Sequence, residues 1–337
     1  MSIAASAQRL HLERLLQPIC CLATTARPAA AQAHFASVPT GASPAIATAA
    51  DRTTAASPLH STPATPPASQ RGTDGTAVPP PVGGAPRAAS IDAREVAKFS
   101  ALAAEWWSPR GPFAALHALN AARVHFIRGA AVRHFRRDSA ALRPLEGLRV
   151  LDVGCGGGIL AEPLARLGGQ VLGVDVTPEN IGVARCHAAT DTALAGAVAY
   201  EGVSAEALVE RGERYDLVVA SEVIEHVKAP PGFVRTLCDL RAPRGCVVVT
   251  TINRTAEAYA LAIVAAEKVL GMAPDGAHDW NKFVRPEELQ LMFGQAGLEM
   301  RLLAGMQLDV LGGRWRCTGH AGVNYAAMFA AEGEGAA

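Results

Sequence analysis

Two clusters of residues in this sequence have types and spacing that could bind a nucleoside and activate a nucleophile. The first lies in the glycine-rich residues 151–158, where Asp152 precedes Gly154 and Gly156. Glycines remove Cβ atoms where a ligand must approach the backbone closely. Asp175 follows at the end of the next predicted strand, where a carboxylate can accept both ribose hydroxyls of an adenosine. These residues predict a nucleoside-binding site.

The second cluster is Ser-Glu-Val-Ile-Glu-His at residues 221–226, directly after another predicted strand. Doubly wound folds bind substrate at this end of their strands. If the segment opens a helical turn, Glu222, Glu225 and His226 all face one way. Two carboxylates and an imidazole suit Mg²⁺, Mn²⁺ or Zn²⁺. They also suit a histidine general base oriented by a carboxylate, and the third possibility is a helix start with a purely structural role.

The elements that must position these clusters are short β-branched runs alternating with helical segments. The predicted strands are 149–153, 170–174, 198–202, 217–220 and 246–251, and the predicted helices between them are 159–167, 178–190, 205–211 and 231–240. A helix at 286–295 follows, then strands at 298–303 and 323–329 that we expect to form an antiparallel edge pair. The predicted class is α/β: a doubly wound, mostly parallel, seven-stranded Rossmann-like sheet.

Helical spacing over 91–107 and 114–135 predicts an N-terminal helical cap before the sheet. Trp106 and Trp107 close the first of these segments, where they either pack between helices or form a lid over an aromatic ligand. His278 and Asp279 follow a Pro/Gly turn and are candidates for the rim of the site.

Composition limits the function classes. The chain has 337 residues, of which 50% are hydrophobic and 18% charged, and its formal net charge is +0. This balance excludes a nucleic-acid binder that works by simple electrostatic attraction. The seven cysteines form no CxxC pair, as expected of reduced thiols in a protein that is not secreted. The apolar run at 258–266 is too short to span a membrane.

The composition also divides the chain into segments. Residues 1–40 are rich in Ala, Ser and Leu with arginines and almost no acids, which is typical of a mitochondrial transit peptide; an ordinary disordered tail is the alternative. Residues 41–90 are rich in Pro, Ala, Thr and Gly and read as a disordered linker, because they cannot bury enough apolar surface to fold. We expect one domain at 91–330 and a short tail at 331–337.

Four segments resemble motifs of class I S-adenosylmethionine-dependent methyltransferases: LDVGCGGGILAEPLARLG, GVD, YDLVVASEVIEHV and TTINRT. Two more, KFSALAAEWW and HDWNKFVRPEEL, narrow the resemblance to the mitochondrial type of the ubiquinone-biosynthesis O-methyltransferase family. The resemblance covers residues 91–329. It implies methylation of catechol hydroxyls on polyprenylated precursors, namely 3,4-dihydroxy-5-polyprenylbenzoate and 3-demethylubiquinol.

The resemblance also implies site residues. It implies S-adenosylmethionine contacts at Arg123, Gly154, Asp175 and Ser221, with Asp152 and Gly156 in the same cofactor loop. It implies metal ligation, with Mg²⁺ the first choice, by Glu222, Glu225 and His226. A guanidinium at position 123 suits the methionine carboxylate, and the alternative is an ordinary surface arginine.

A catechol hydroxyl needs activation, because a phenol with a pKa of ~10 is mostly protonated at neutral pH. A metal ion that chelates both oxygens would lower that pKa, whereas His226 could remove the proton directly. Three other functions remain open: a nicotinamide oxidoreductase, a catalytically silent assembly factor, and a methyltransferase for another small molecule. Ile159 stands where the dinucleotide fingerprint has its last glycine, which disfavours the oxidoreductase.

A polyprenylated substrate implies a membrane nearby. The resemblance predicts a mitochondrial protein bound peripherally to the matrix face of the inner membrane, with other ubiquinone-biosynthesis proteins as partners and no nucleic acid. The apolar helix predicted over 259–272 is then a core helix, an entrance for the polyprenyl tail, or a helix on the membrane surface.

Overall fold

A central sheet organises the part of the chain that the computed structural model describes, which is residues 90–260, 279–309 and 313–335. Its strands are β1 (Arg149–Val153), β2 (Gln170–Val174), β3 (Val198–Glu201), β4 (Tyr215–Ser221), β5 (Arg241–Ile252), β6 (Glu299–Asp309), β7 (Arg314–Thr318) and β8 (Asn324–Ala330). Their order across the sheet is β3-β2-β1-β4-β5-β8-β6-β7. The first five strands pair in parallel, and β8, β6 and β7 continue the sheet in antiparallel pairs. The predicted α/β, doubly wound class is confirmed.

Helices connect the strands as the sequence predicts, with ends that differ by a few residues. They are α1 (Ala93–Ala101), α2 (Ala114–His134), α3 (Ala161–Arg166), α4 (Pro178–Ala188), α5 (Ala205–Glu210), α6 (Pro230–Leu240) and α7 (Pro286–Gln295). The side chains of Asp92 and Ser204 cap α1 and α5 by accepting hydrogen bonds from first-turn amides. Proline occupies the first turn of α4, α6 and α7, where its missing N–H costs nothing.

The predicted antiparallel pairing of the last two strands is confirmed, but the predicted count of seven strands and the place of this pair at the edge of the sheet are wrong. Among the described residues the sheet has eight strands, because β7 pairs with β6 and forms the outer edge. The two predicted strands do pair, but β8 lies inside the sheet, between β5 and β6. The sequence signal for β7 is weak because this edge strand is apolar on one side only: Trp315 and Cys317 pack against the core, while Arg314 and Arg316 are exposed.

The core lies on both faces of the sheet. Neighbouring residues of β1 point to opposite faces, so Val150 packs with Ile127 of α2, and Leu151 packs with Leu237 of α6. A central strand of this kind is mostly apolar; in β1, Val150, Leu151 and Val153 are buried apolar residues, and Asp152 is a buried carboxylate that faces the site.

The order in which the chain connects the strands determines where the site lies. The chain runs from β1 outward to β3, then crosses to β4 on the other side of β1. Ligands of doubly wound proteins bind at the carboxyl ends of the strands where this reversal occurs. The glycine loop follows β1, Asp175 follows β2, and residues 222–226 follow β4, so all three meet at this crevice.

Several predicted features lie outside the described residues: the transit peptide at 1–40, nearly all of the linker at 41–90, most of the 259–272 helix, and His278. Within the described residues, no helix has the length and apolarity required to cross a membrane.

Candidate active site

A cavity of about 280 Å³ lies at the carboxyl ends of β1, β2 and β4, with α1 and the start of α2 along its other side. All the predicted cofactor-binding and metal-binding residues line it: Arg123, Asp152, Gly154, Gly156, Asp175, Ser221, Glu222, Glu225 and His226. Much of the remaining wall is apolar and includes Phe99, Leu102, Phe113, Leu116 and Phe233. One cavity therefore holds both predicted clusters.

The glycine loop needs glycine at Gly154 and Gly156, which have φ values of +71° and +52°. A Cβ atom on Gly154 would lie 2.6 Å from the Val223 side chain, and one on Gly156 would lie 2.3 Å from the Trp106 ring. The sequence predicts that these glycines leave room for a ligand. In the structure that space beside the loop is filled by side chains of the chain itself.

Asp175 holds the loop in place from the end of β2. Its carboxylate accepts hydrogen bonds from the backbone amides of Gly156, at 3.0 Å, and Thr177, at 2.8 Å. Burial raises the pKa of Asp175, and these hydrogen bonds oppose that shift. Each carboxylate oxygen can accept more than one hydrogen bond, so acceptor capacity remains for ribose hydroxyls.

Arg123 and Asp152 are both buried beside the glycine loop, at 3% and 2% exposure. Two of their polar atoms, Arg123 Nε and Asp152 Oδ2, have no hydrogen-bond partner among the described residues. Burial raises the pKa of Asp152 to about 7, although the charge of Arg123 acts in the opposite direction. The surface alternative for Arg123 is therefore wrong, because the guanidinium points into the protein.

A chain of hydrogen bonds runs from Arg123 to the second cluster. Arg123 Nη1 donates to Ser221 Oγ at 3.1 Å, and Ser221 Oγ lies 2.7 Å from Thr250 Oγ1. Thr250 donates its hydroxyl to Glu222 Oε1 at 2.8 Å. Because Thr250 has one hydroxyl hydrogen, the Ser221 hydroxyl must donate to Thr250. This relay links the two halves of the cavity through β5.

Residues 222–226 do not form the helical turn considered from the sequence. Glu222 has a φ of +56°, and only Ile224–His226 forms a single 3₁₀ turn. The left-handed residue precedes that turn, so Glu222 does not share a helical face with Glu225 and His226. A non-glycine residue in this conformation stores strain of a kind concentrated at functional sites.

The three side chains of this turn have separate partners. Glu222 accepts from Thr250, buried Glu225 accepts from Thr251 at 2.8 Å, and His226 pairs with a residue of α1. Burial, followed by the charge of Glu222, raises the pKa of Glu225. Across the described residues, no group of three or more His, Cys, Asp or Glu side chains is arranged to hold a metal ion. The predicted metal ligands are close in sequence, but the structure does not arrange them as a metal site.

Sequence reasoning missed Glu95 on α1. His226 Nδ1 lies 3.2 Å from Glu95 Oε2, and Lys282 donates to Glu95 Oε1 at 3.1 Å. The hydrogen bond with His226 is the main cause that lowers the pKa of Glu95 to about 2. Burial alone would lower the pKa of His226, but the contacts with Glu95 and Glu225 raise it. The sequence around Glu95 does not distinguish it from the other polar residues on this amphipathic helix.

The two tryptophans have different roles. Trp106 stacks on Phe113 with ring centroids 3.7 Å apart, and its indole N–H donates to Asn180 at 2.8 Å. Trp106 is therefore buried between its neighbours and also forms part of the cavity wall. Trp107 does not line the cavity; it donates to the Gly157 carbonyl and stacks on His187. Asp279 also lies away from the cavity, where it caps the turn Trp280–Lys282.

The fold and the cavity together define a class of enzyme. A doubly wound sheet with a glycine loop after β1, an acid after β2, and two acids and a histidine after β4 has the arrangement in which such folds bind a nucleoside beside a substrate. A protein-family profile described as a methyltransferase domain matches residues 124–303. The chain is a class I S-adenosylmethionine-dependent methyltransferase, which decides against the nicotinamide oxidoreductase.

Named relatives narrow this class. The chain is 50% identical over 238 residues to the ubiquinone biosynthesis O-methyltransferase of Azorhizobium caulinodans, covering 70% of this chain and 92% of that protein. It is 51% identical over 244 residues to the protein of the same name from Methylobacterium nodulans, covering 72% and 96%. It is 43% identical over 238 residues to the mitochondrial ubiquinone biosynthesis O-methyltransferase of Arabidopsis thaliana, covering 71% and 74%. The chain belongs to the ubiquinone biosynthesis O-methyltransferase family.

Proposed function

We propose that this enzyme methylates a catechol hydroxyl of polyprenylated ubiquinone precursors, 3,4-dihydroxy-5-polyprenylbenzoate and 3-demethylubiquinol. The observation that carries the proposal is the single cavity lined by both the cofactor residues and the acid–imidazole turn. The names of the relatives supply the substrate class. The hydroxyl oxygen attacks the methyl carbon, the carbon–sulfur bond breaks, and S-adenosylhomocysteine and a proton are released.

The cofactor half of the cavity suits the methionine end of S-adenosylmethionine. That end carries a carboxylate and an ammonium group, and the unpaired atoms nearby are a guanidinium N–H of Arg123 and a carboxylate oxygen of Asp152. The cofactor carboxylate would pair with Arg123, and its ammonium group would pair with Asp152. Each pairing is favourable because the two side chains are buried. Asp175 would then accept from the ribose, with Gly154 and Gly156 holding the loop against it.

The acceptor half of the cavity suits an apolar ring with one polar edge. Phe99, Leu102, Phe113 and Phe233 provide apolar wall, and His226 and Glu222 provide the polar side. In this arrangement the catechol hydroxyl faces His226, which takes its proton as methyl transfer proceeds. The ring and the first part of the polyprenyl tail occupy the apolar wall.

A divalent metal ion, with Mg²⁺ the first choice, is the second candidate for activating the hydroxyl. Glu222, Glu225 and His226 have suitable donor atoms, but each bonds a different neighbour and they do not converge. This arrangement therefore favours proton transfer to His226 without a metal ion. Chelation decides between the two: an enzyme that needs an ion loses turnover with chelator and regains it with Mg²⁺, whereas a histidine base is indifferent.

The proposal extends to the place of the enzyme in the cell. The name of the Arabidopsis relative and the arginine-bearing residues 1–40 support a mitochondrial protein with a transit peptide. Residues 41–90 then form the linker, 91–330 the catalytic domain and 331–337 the tail. A polyprenylated substrate supports peripheral binding at the matrix face of the inner membrane, beside other ubiquinone-biosynthesis proteins.

Transfer of radiolabelled methyl groups tests this function. Purified enzyme is given labelled S-adenosylmethionine and a short-tail catechol, with and without chelator. We expect label on the catechol and one S-adenosylhomocysteine released per methyl group transferred. The same compound lacking its free hydroxyls is the matched control and should receive no label. Absence of transfer to the catechol by folded, cofactor-binding enzyme contradicts the proposed function.

A further inference from the structure

The wall of the cavity carries many carboxylates and few cations. Besides Asp152 and Asp175 at the cofactor end, the carboxylates that line it are those of Asp92, Glu95, Glu206, Glu222 and Glu225. The lysine and arginine side chains of the described residues that line it are Lys98 and Arg123. Arg123 is buried beside the glycine loop, where the proposed function pairs it with the methionine carboxylate. In the described part of the chain, Lys98 is therefore the cation of this wall that the cofactor does not use.

Lys98 lies on the stretch of the N-terminal cap that borders the acceptor half of the cavity. Glu95 Oε2 lies 3.2 Å from His226 Nδ1, and the Phe99 ring meets the His226 imidazole edge-on with centroids 5.3 Å apart. Further along the cap, Trp106 packs against the glycine loop at the cofactor end. Lys98 stands on α1 between Glu95 and Phe99 and is half-buried. It therefore borders the place of the catechol rather than that of the cofactor.

The two proposed substrates differ in charge. A benzoate carries an ionised carboxylate at neutral pH, whereas the phenol groups of 3-demethylubiquinol, with a pKa of ~10, leave that molecule neutral. A carboxylate that enters a partly apolar cavity among other carboxylates is unfavourable unless a cation pairs with it. An ammonium group has three N–H donors on a flexible four-carbon stem. Lys98 can therefore donate to a substrate oxygen alongside its contacts within the protein.

We propose that Lys98 binds the carboxylate of the benzoate substrate and so determines how well the enzyme accepts this acid relative to the neutral ubiquinol. This inference rests on the proposed function and adds a specificity residue to it. The reacting hydroxyl and the carboxylate are attached to different positions of a rigid ring. Binding of the carboxylate at α1 therefore also sets which hydroxyl faces the turn after β4. The neutral substrate lacks this contact and depends on the apolar wall.

Three short-tail catechols test this role: the benzoate, its methyl ester and 3-demethylubiquinol. Lys98→Met removes the charge but keeps an unbranched side chain. We expect kcat/KM for the benzoate to fall about 10- to 100-fold, as for the loss of one charge-assisted hydrogen bond. The ester and the ubiquinol should change by less than about twofold. Lys98→Arg keeps the charge and should recover part of the loss. Arg94→Gln, a charge change at an exposed position of the same helix, is the matched control and should leave all three values unchanged.

A binding measurement separates charge recognition from a merely structural role. The benzoate and its ester are titrated by calorimetry into enzyme saturated with S-adenosylhomocysteine. We expect Lys98→Met to raise the Kd of the benzoate and to leave that of the ester unchanged. An equal loss for all three compounds, or an unchanged benzoate, overturns the inference. A wild-type enzyme that binds the benzoate through Lys98 but methylates none of the three catechols contradicts the proposed function instead, so the two failures are distinguishable.

Discussion

At the scale of single residues, Arg123 and Asp152 are the side chains with buried polar atoms available for the proposed cofactor. Both are buried, and each keeps one polar atom without a partner among the described residues. An unpaired buried polar atom costs about 1–3 kcal/mol, so the fold bears this cost until a ligand pairs it. The amino-acid end of S-adenosylmethionine carries an ammonium group and a carboxylate on the same carbon atom. These two groups complement the charges of Asp152 and Arg123. The proposed affinity for the cofactor therefore depends on both ends of its amino-acid group.

Asp175→Ala tests the ribose contact. We expect the Kd for S-adenosylmethionine to rise roughly 5- to 150-fold, because two ribose hydroxyls lose an acceptor worth about 1–3 kcal/mol. Catechol affinity should change little. Calorimetric titration measures both, with Glu179→Ala, an exposed acid at the start of α4, as the matched control. If the Asp175 variant binds the cofactor as tightly as the wild type does, Asp175 does not bind the ribose.

Thr250→Val tests the relay between the two halves of the cavity. The substitution keeps the shape of the side chain but leaves Ser221 without an acceptor and Glu222 without a donor. We expect stability to fall by about 1–3 kcal/mol and turnover to fall at saturating cofactor. Thr236→Val removes a buried hydroxyl that bonds a carbonyl within α6, and its turnover should match the wild type. Equal turnover in both variants would show that the relay has no part in the reaction.

The residues that could be predicted from sequence are those tied to a strand end. Asp152, Gly154 and Asp175 have fixed places relative to β1 and β2, so a local motif is enough to find them. Glu95 and Thr250 have their roles because distant segments pack together, and their own neighbours in sequence carry no sign of it. Spacing alone could not reveal those contacts.

At the scale of elements, the alternation of strands and helices was predictable because each strand is short, apolar and bounded by a helix. β7 was missed since an edge strand with one apolar side resembles a loop. Spacing permits a helical turn for the residues after β4, because spacing cannot show that Glu222 adopts a left-handed conformation. Backbone conformation at a strand end depends on what the strand packs against, which here includes the neighbouring strand β5.

Gly156→Ala tests how the cap meets the glycine loop. A residue with a Cβ at a φ of +52° costs about 1–2 kcal/mol, and the new atom would overlap the Trp106 ring. We expect a lower Tm and weaker cofactor binding, measured by thermal melting and calorimetry. Gly182→Ala, inside α4 with open space around it, should instead stabilise the protein by about 0.5–1 kcal/mol. A Gly156 variant that melts and binds like the wild type would contradict the geometry described for the loop.

At the scale of the whole molecule, Ser90 is the first residue that the structure describes, and it is anchored to the domain. It is buried, its hydroxyl donates to Glu206 at 2.7 Å, and its carbonyl accepts from the Lys228 amide at 2.9 Å. The sequence predicts a domain boundary between residues 90 and 91, immediately after this anchor. A shortened chain should therefore retain Ser90, which also places the cap next to α5 and the turn after β4.

Two shortened chains test this boundary. A chain that starts at Ser90 should keep the wild-type Tm and full methyl transfer. A chain that starts at Ala93 loses both hydrogen bonds of Ser90 and the Asp92 cap, about 2 kcal/mol in all. For a domain of this size that corresponds to roughly 4–8 °C in Tm. Loss of the cooperative melt in the longer of the two would show that residues before Ser90 belong to the fold.

The insertion of β8 between β5 and β6 has a consequence for how the protein is made. As a nascent chain leaves the ribosome, β5 emerges before its partner β8, and β6 emerges before β8 as well. The edge of β5 therefore stays without a hydrogen-bonding neighbour until residues 324–330 have been synthesised. Residues 245–252 of β5 are fully buried in the finished protein, and an exposed apolar strand edge readily pairs with other chains. Translation products that stop before β8 would consequently expose a template for aggregation, so completion of the sheet is a late event in the synthesis of this enzyme.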